Sequence, residues 1–180
     1  MTADTHLNHE AVIGYEGRKF SDAAEMDEYI IQRWNAAVRP TDHVLHLGDV
    51  AMGIRTRLAD YVRRLNGTII LQPGNHDYKR DDQYFRHVLP RKQQSVLTVG
   101  DLAFELVHRP QDATYRCPLV LCGHVHQAWR EQTRQHNPTW ERPRLHPTIP
   151  IRLFNVGVDV RDFRPVPVEE IVRWAGTEAG

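Results

Sequence analysis

Apolar positions along the chain switch between a helical and a strand period. Met26, Ile30, Trp34, Ala37 and Val38 fall on one helical face, and this stripe predicts an amphipathic helix that Pro40 ends. Ser21 is the expected N-cap, with Asp22 and Glu25 in the first turn, where carboxylates are favoured. His43–Gly48 reads as a short strand. Ile54, Leu58, Tyr61, Val62 and Leu65 mark a second amphipathic helix closed by Asn66-Gly67. Thr68–Leu71 is the next strand, ended by Pro73-Gly74. Ser95–Val99 and Leu102–Val107 flank Gly100-Asp101 and predict a hairpin. Leu119–Cys122 is a short buried strand that stops at Gly123. Gln127–Pro147 reads as a loop rich in Arg, His, Pro and Trp. Ile151–Val156 and Val158–Val160 are strand-like, and Val168–Trp174 is a closing helix. Strands alternating with helices predict an α/β fold. No repeat, low-complexity segment or linker divides residues 1–180, so one domain is expected.

Composition narrows the function classes. The 180 residues carry 23 Lys+Arg and 23 Asp+Glu, whereas a protein that wraps a polyanion is usually more basic. No apolar run reaches the 18 residues a membrane span needs, and Met1–His6 has no apolar signal core, so a cytoplasmic protein without membrane contact is expected. Cys117 and Cys122 are too few for a disulfide framework and read as small apolar groups. The unusual count is histidine, with 11. Imidazole is the commonest metal ligand and a frequent acid or base.

Five short motifs collect the chemistry. They are Asp4-Thr5-His6, Gly48-Asp49, Gly74-Asn75-His76-Asp77, His108 and Gly123-His124-Val125-His126. Each follows a strand-like run, or, for the first, the stub Met1-Thr2-Ala3 that stands where a strand is needed. In open α/β sheets the carboxyl ends of strands line the binding crevice, so motifs spread over 120 residues converge on one edge. Carboxylate, imidazole and one amide oxygen form a borderline-hard ligand set that favours Mn, Fe, Zn, Co or Ni over Ca or Mg. Asp49, the single acid after the central strand, is the natural bridge between two ions.

These motifs, in this order, resemble those of the calcineurin-like metallophosphoesterase superfamily. Asp4–Glu10, Leu47–Val50, Leu65–Gly67 and Asn155–Asp159 resemble a small, single-domain bacterial and phage branch of it, so the likeness covers nearly the whole chain. The resemblance implies two mixed β-sheets packed as a sandwich and flanked by helices. It also implies two divalent ions, with manganese foremost. One would be held by Asp4, His6, Asp49 and His126, and the other by Asp49, Asn75, His108 and His124. A bridging hydroxide would attack phosphorus in line, and His76 would contact the phosphate and protonate the leaving oxygen.

The chain also departs from the pattern. A stub precedes Asp4 where relatives have a full strand, so the Asp4 and His6 side is expected to be the weaker half of the site. Gly48-Asp49-Val50-Ala51-Met52-Gly53 lacks the second aspartate and the arginine of the protein phosphatases, and Gln72-Pro73 stand where an arginine precedes Gly-Asn-His. Both departures argue against a Ser/Thr protein phosphatase. They leave Asp77 as the candidate partner of His76, although an aspartate there also suits an Asx turn. Arg109 and His9, together with Asn75, are candidate phosphate contacts.

Three functions compete. The first is hydrolysis of a small phosphoester, diester or monoester, including nucleotides. The second is a nuclease or end-processing phosphatase, for which Arg130, Arg134, Arg142 and Arg144 with Trp129 and Trp140 would supply charge and stacking. The third is a non-catalytic scaffold on the same fold, disfavoured because all seven ligands and His76 are present. His43, His46, His87, His136 and His146 are read as surface or satisfied polar residues without a ligand role.

Overall fold

The computed structural model describes residues 1–52, 55–90, 95–136 and 149–176. In chain order its elements are α1 (Glu10–Tyr15), α2 (Ala23–Ala37), β1 (His43–His46), α3 (Arg55–Arg64), β2 (Thr68–Leu71), β3 (His87–Val88), β4 (Ser95–Val99), β5 (Leu102–Leu106), β6 (Leu119–Cys122), β7 (Glu131–His136), β8 (Ile149–Asn155) and α4 (Val168–Gly176). Single 3-10 turns occupy Lys79–Tyr84, Pro110–Asp112 and Val158–Val160.

Two sheets result, as the resemblance implies. The smaller is parallel, in the order β1-β2-β3, and the larger is mixed, in the order β4-β5-β6-β8-β7. In the larger sheet β6 runs parallel to both β5 and β8, while β4 and β7 close its two edges as antiparallel strands. All four residues of β6 are buried, as a central strand covered on both faces requires.

The chain start joins the sheets. Thr2 bridges to His46 and Ala3 to Gly157, both parallel. The Thr2 amide donates to the Leu45 carbonyl at 3.0 Å, the Leu47 amide donates back to Thr2 at 2.8 Å, and the Val158 amide donates to Ala3 at 3.1 Å. The stub is therefore bonded on both sides and fully buried at Thr2, Ala3 and Asp4. Its shortness does not leave Asp4 loosely anchored.

The apolar stripe of α2 buries Met26, Ile30, Ile31 and Trp34 against Val44, Ile69 and Leu71 of the small sheet. Ala3, Leu47, Phe104, Leu121, Phe154, Val156 and Ile171 form a second cluster, which brings α4 against the larger sheet. Burying large aliphatic and aromatic side chains contributes about 1.5–3 kcal/mol each, so these layers set the frame on which the strand ends stand.

Some local expectations shift. The N-cap of α2 is Asp22, whose carboxylate accepts the Glu25 amide at 2.8 Å, while Ser21 donates its amide and hydroxyl to the Glu25 carboxylate at 2.7 Å. The reciprocal cap exists one residue later than expected, because the aspartate is the better acceptor and the serine serves as donor. The stretch Gln127–Pro147 is not all loop: Glu131–His136 pairs antiparallel with Ile149–Phe154. Arg142, Arg144, Trp140 and His146 lie outside the described residues. Val158–Val160 is a 3-10 turn, and α1 carries no periodic stripe long enough to be read from sequence.

Candidate metal centre

Every motif sits at a strand end or in the turn that follows it. Gly48-Asp49 follows β1, Gly74–Asp77 follows β2, His108 follows β5, and Gly123–His126 follows β6. Five of the seven candidate ligands have left-handed backbone: Asp4 (φ 58°), His6 (49°), Asp49 (59°), His124 (67°) and His126 (44°). Non-glycine residues rarely adopt this region, and its clustering is a mark of functional strain. Here it turns successive side chains inward. Close approach is what demands glycine between them. A Cβ on Gly48 would lie 2.4 Å from the Gly74 amide nitrogen, and one on Gly74 would lie 2.3 Å from an Asp49 carboxylate oxygen.

Two groups of donor atoms form. Asp4, His6 and His126 are one, and Asp49, His108 and His124 are the other, with the ligand atoms of each group within 4.8 Å of one another. Asp49 Oδ2 stands between them, 3.6 Å from His6 Nε2 and 3.3 Å from His108 Nε2. Asp49 thus lies between the two groups. The other Asp49 oxygen accepts the His76 amide at 2.8 Å.

The protonation pattern fits a cation in each group. Asp4 Oδ2 accepts the His124 amide at 2.8 Å, while Asp4 Oδ1 and His6 Nε2 are buried polar atoms without a hydrogen-bond partner. Orphans of this kind are costly in a native interior and call for an ion. Next door, the His108 Nδ1–H donates to the Leu47 carbonyl at 2.8 Å. Its Nε2 then faces two acceptors, Asn75 Oδ1 at 3.0 Å and Asp49 Oδ2 at 3.3 Å. One proton, or one cation, must lie there.

The titration behaviour follows from the same geometry. Burial raises Asp4 to about 7 despite the pull of His108 and His126. Burial also pushes the His6 imidazole far below its usual value, so it stays neutral. For His108, burial disfavours the cation, but the Asp49 hydrogen bond and the charges of Asp4 and Asp49 together outweigh it and raise the group to about 9. For Asp49, burial opposes ionisation, and His108 overcomes it and holds the carboxyl well below the usual range.

The remaining candidates separate by position. His76 is half-buried, with its ring 5.3 Å from His6 and 5.9 Å from His9. His9 places Nδ1 3.0 Å from His6 Nδ1, so it supports a ligand as well as facing the cleft. Arg109 directs Nε toward Asn75 Oδ1 at 3.3 Å, and Asn75 is exposed. Asp77 has another task. Its carboxylate accepts the amides of Asp49 (2.7 Å), Gly74 (2.8 Å) and Val50 (3.1 Å). It ties the two metal-facing turns together as an Asx-type clamp.

Three residues were not singled out from sequence. Asp159 accepts from His126 Nδ1 at 2.8 Å. Arg18, buried, donates Nε and Nη2 to Asp159 at 2.7 and 2.9 Å, and also reaches the Asp4 carbonyl (2.8 Å) and the Thr5 carbonyl (3.1 Å). His46, read as a satisfied polar residue, is fully buried. It accepts the Gly48 amide on Nδ1 at 3.2 Å, so its Nε2–H donates to Thr5 Oγ1 at 3.0 Å. Asp159 falls inside the strand-like run Val158–Val160 and Arg18 just before the first predicted helix, and sequence spacing alone does not connect them.

The chain is 30% identical over 178 residues to an uncharacterized protein of Methanocaldococcus jannaschii, covering 96% of this chain and 88% of the relative. The crystal structure of a protein of unknown function from Aquifex aeolicus superposes with a TM-score of 0.69 at 22% identity, covering 96% of each chain. That likeness establishes the two-sheet fold. Among the described residues no helix is long and apolar enough to cross a membrane. A sequence model of the calcineurin-like phosphoesterase superfamily domain matches residues 1–157, which take in every candidate ligand, and the chain belongs to that superfamily.

Proposed function

We propose that the protein hydrolyses a phosphoester of a small molecule or nucleotide at a centre holding two divalent ions, manganese foremost. The observation that carries this reading is Asp49 Oδ2 lying between His6 Nε2 and His108 Nε2, with Asp4 Oδ1 and His6 Nε2 buried and unpartnered beside it. Asp4, His6, Asp49 and His126 would hold one ion and Asp49, Asn75, His108 and His124 the other. Bound ions would neutralise phosphate charge and lower the pKa of a coordinated water.

The protein's own groups supply the rest. The half-buried His76, with its ring 5.3 Å from that of His6, would hold a phosphate oxygen and pass a proton to the departing alkoxide. Asp77 keeps that loop in register through its three amide contacts. Arg109 at the Asn75 edge, and His9 at the His6 edge, flank the space for a phosphate. The balanced charge favours a small substrate over a long polyanion. Buried, unpaired Cys117 and Cys122 suit a reducing cytoplasm.

The test is hydrolysis of bis(p-nitrophenyl) phosphate and p-nitrophenyl phosphate with Mn²⁺, with and without chelator. Chelator-sensitive turnover is expected. A folded protein that turns over neither compound with Mn, Fe, Zn, Co or Ni would instead be a scaffold.

A further inference from the structure

We propose that Arg18 and Asp159 form a positioning pair that sets Asp4, His6 and His126 as one unit for the ion of that half of the centre. The proposal rests on the two-ion reading above. Asp159 lies in the 3-10 turn Val158–Val160 that follows β8, with its side chain only 5% exposed. The carboxylate accepts from His126 Nδ1 at 2.8 Å. This fixes the imidazole proton on Nδ1 and leaves the Nε2 lone pair for a ligand. A carboxylate behind a ligating histidine also raises its basicity, and removing such a partner typically weakens metal affinity by 10–100-fold.

Arg18 extends the effect to the other two ligands. Its side chain is 1% exposed. The guanidinium takes both Asp159 oxygens in a fork, and the same group reaches the carbonyls of Asp4 and Thr5. Those carbonyls belong to the segment whose Asp4 and His6 sit in left-handed backbone. One planar cation thus links the strained Asp4–His6 turn to the turn that carries Asp159, and through it to His126. Only arginine has the fixed fork of donors for this; lysine has the charge without the geometry. The cation–π contact of Arg18 over the Phe163 ring, 5.6 Å from its centroid, helps hold the plane. Among the described residues no hydrogen bond or ion pair joins the pair to Asp49, His108 or His124. The support of that other half is the Leu47 carbonyl on His108.

The consequence is selective. Loss of the pair should weaken one ion and spare the other, which a merely structural defect would not do. Mn²⁺ binding is measured by calorimetry on full-length protein, with the visible spectrum of the Co²⁺-loaded form as a second readout. Wild type is expected to take up two ions. Asp159→Asn keeps the shape and loses the charge. Because it also leaves Arg18 unpaired, the double variant with Arg18→Met is measured beside it. Both should bind one ion 10–100-fold more weakly and the other at wild-type affinity, with the spectral change confined to one of the two Co²⁺ equivalents. Arg18→Lys should weaken the same ion. Wild-type affinity for both ions in Asp159→Asn and the double variant would overturn the proposal, as would equal weakening of both ions. A wild type that takes up fewer than two ions overturns the two-ion reading itself, and is seen before any variant is made.

Discussion

The two halves of the centre are built to different standards. Asp4 and His6 are 0% and 2% exposed, and His126 is backed by Asp159 and Arg18, itself buried. The other half keeps His108 at 6%, but its Asn75 is exposed and its Arg109 half-buried. The half with the shorter leading segment is therefore the more tightly held. A three-residue stub suffices because it bonds to β1 on one side and to the turn after β8 on the other. Anchoring depends on pairing and not on strand length. The other half, by contrast, exposes its Asn75 amide, and the half-buried Arg109 directs Nε to that amide oxygen.

The comparison has one shared member, and breaking it should have the largest effect. Asp49→Asn removes the charge that stands between His6 and His108. We expect kcat/KM to fall about a thousandfold, equivalent to about 4 kcal/mol, with both ions bound more weakly. An asparagine variant that keeps one ion at wild-type affinity would show that Asp49 belongs to the other half alone.

The glycines allow the two halves to be disturbed to different degrees. A Cβ at Gly123 would meet Asp4 Oδ2 at 2.6 Å and Ala3 Cβ at 2.5 Å. A Cβ at Gly74 would meet Asp49 Oδ1 at 2.3 Å and His108 Cε1 at 2.9 Å. Each alanine should cost about 1–3 kcal/mol by overpacking, read as a lower Tm of the chelator-treated protein. Metal titration should then differ. Gly123→Ala weakens chiefly the ion on the Asp4 side, whereas Gly74→Ala, which presses the shared Asp49 as well as His108, weakens both. If Gly123→Ala weakened both ions equally, the division into halves would be wrong.

Much of this was readable beforehand, and the exceptions have a common cause. The ligand motifs are short, ordered, and placed after apolar runs, and strand-end convergence is a property of the fold class. The helix α2 and the hairpin β4–β5 were legible because their periods are regular. Asp159 and Arg18 were not, because their roles depend on contacts 33 and 141 residues apart in sequence. Asp77 was ambiguous for a related reason. The same aspartate beside His76 serves as proton partner or as clamp depending on which amides its turn presents, and here it meets those of Asp49, Val50 and Gly74. The N-terminal stub misled because its bridge partners, His46 and Gly157, lie 44 and 154 residues from Thr2 and Ala3.

The finest distinction between the halves is what each holds when no metal is added. On the Asp4 side His6 stays neutral, because burial lowers its pKa. On the other side His108 holds a proton where an ion would sit, with its pKa raised to about 9 by Asp49 and Asp4 against the effect of burial. A histidine with a raised folded pKa contributes stability that is complete below its unfolded value of about 6.5, and that stability is lost as the pH climbs through 9. The raised Asp4 carboxyl, at about 7, adds to the loss only up to neutrality. From pH 7 to 9 the His108 contribution falls, while the buried Met1 ammonium, lowered to about 5, opposes that fall up to pH 8. Relative to His108→Gln, chelator-treated wild type should lose about 2 kcal/mol across this window, at roughly 1.4 kcal/mol per pH unit before the titration levels off. His108→Gln should flatten that dependence. Excess Mn²⁺ should flatten it too, since the ion takes the proton's place. Chelated wild type and His108→Gln with the same change in Tm from pH 7 to 9 would mean that no proton substitutes for the ion in the His108 half.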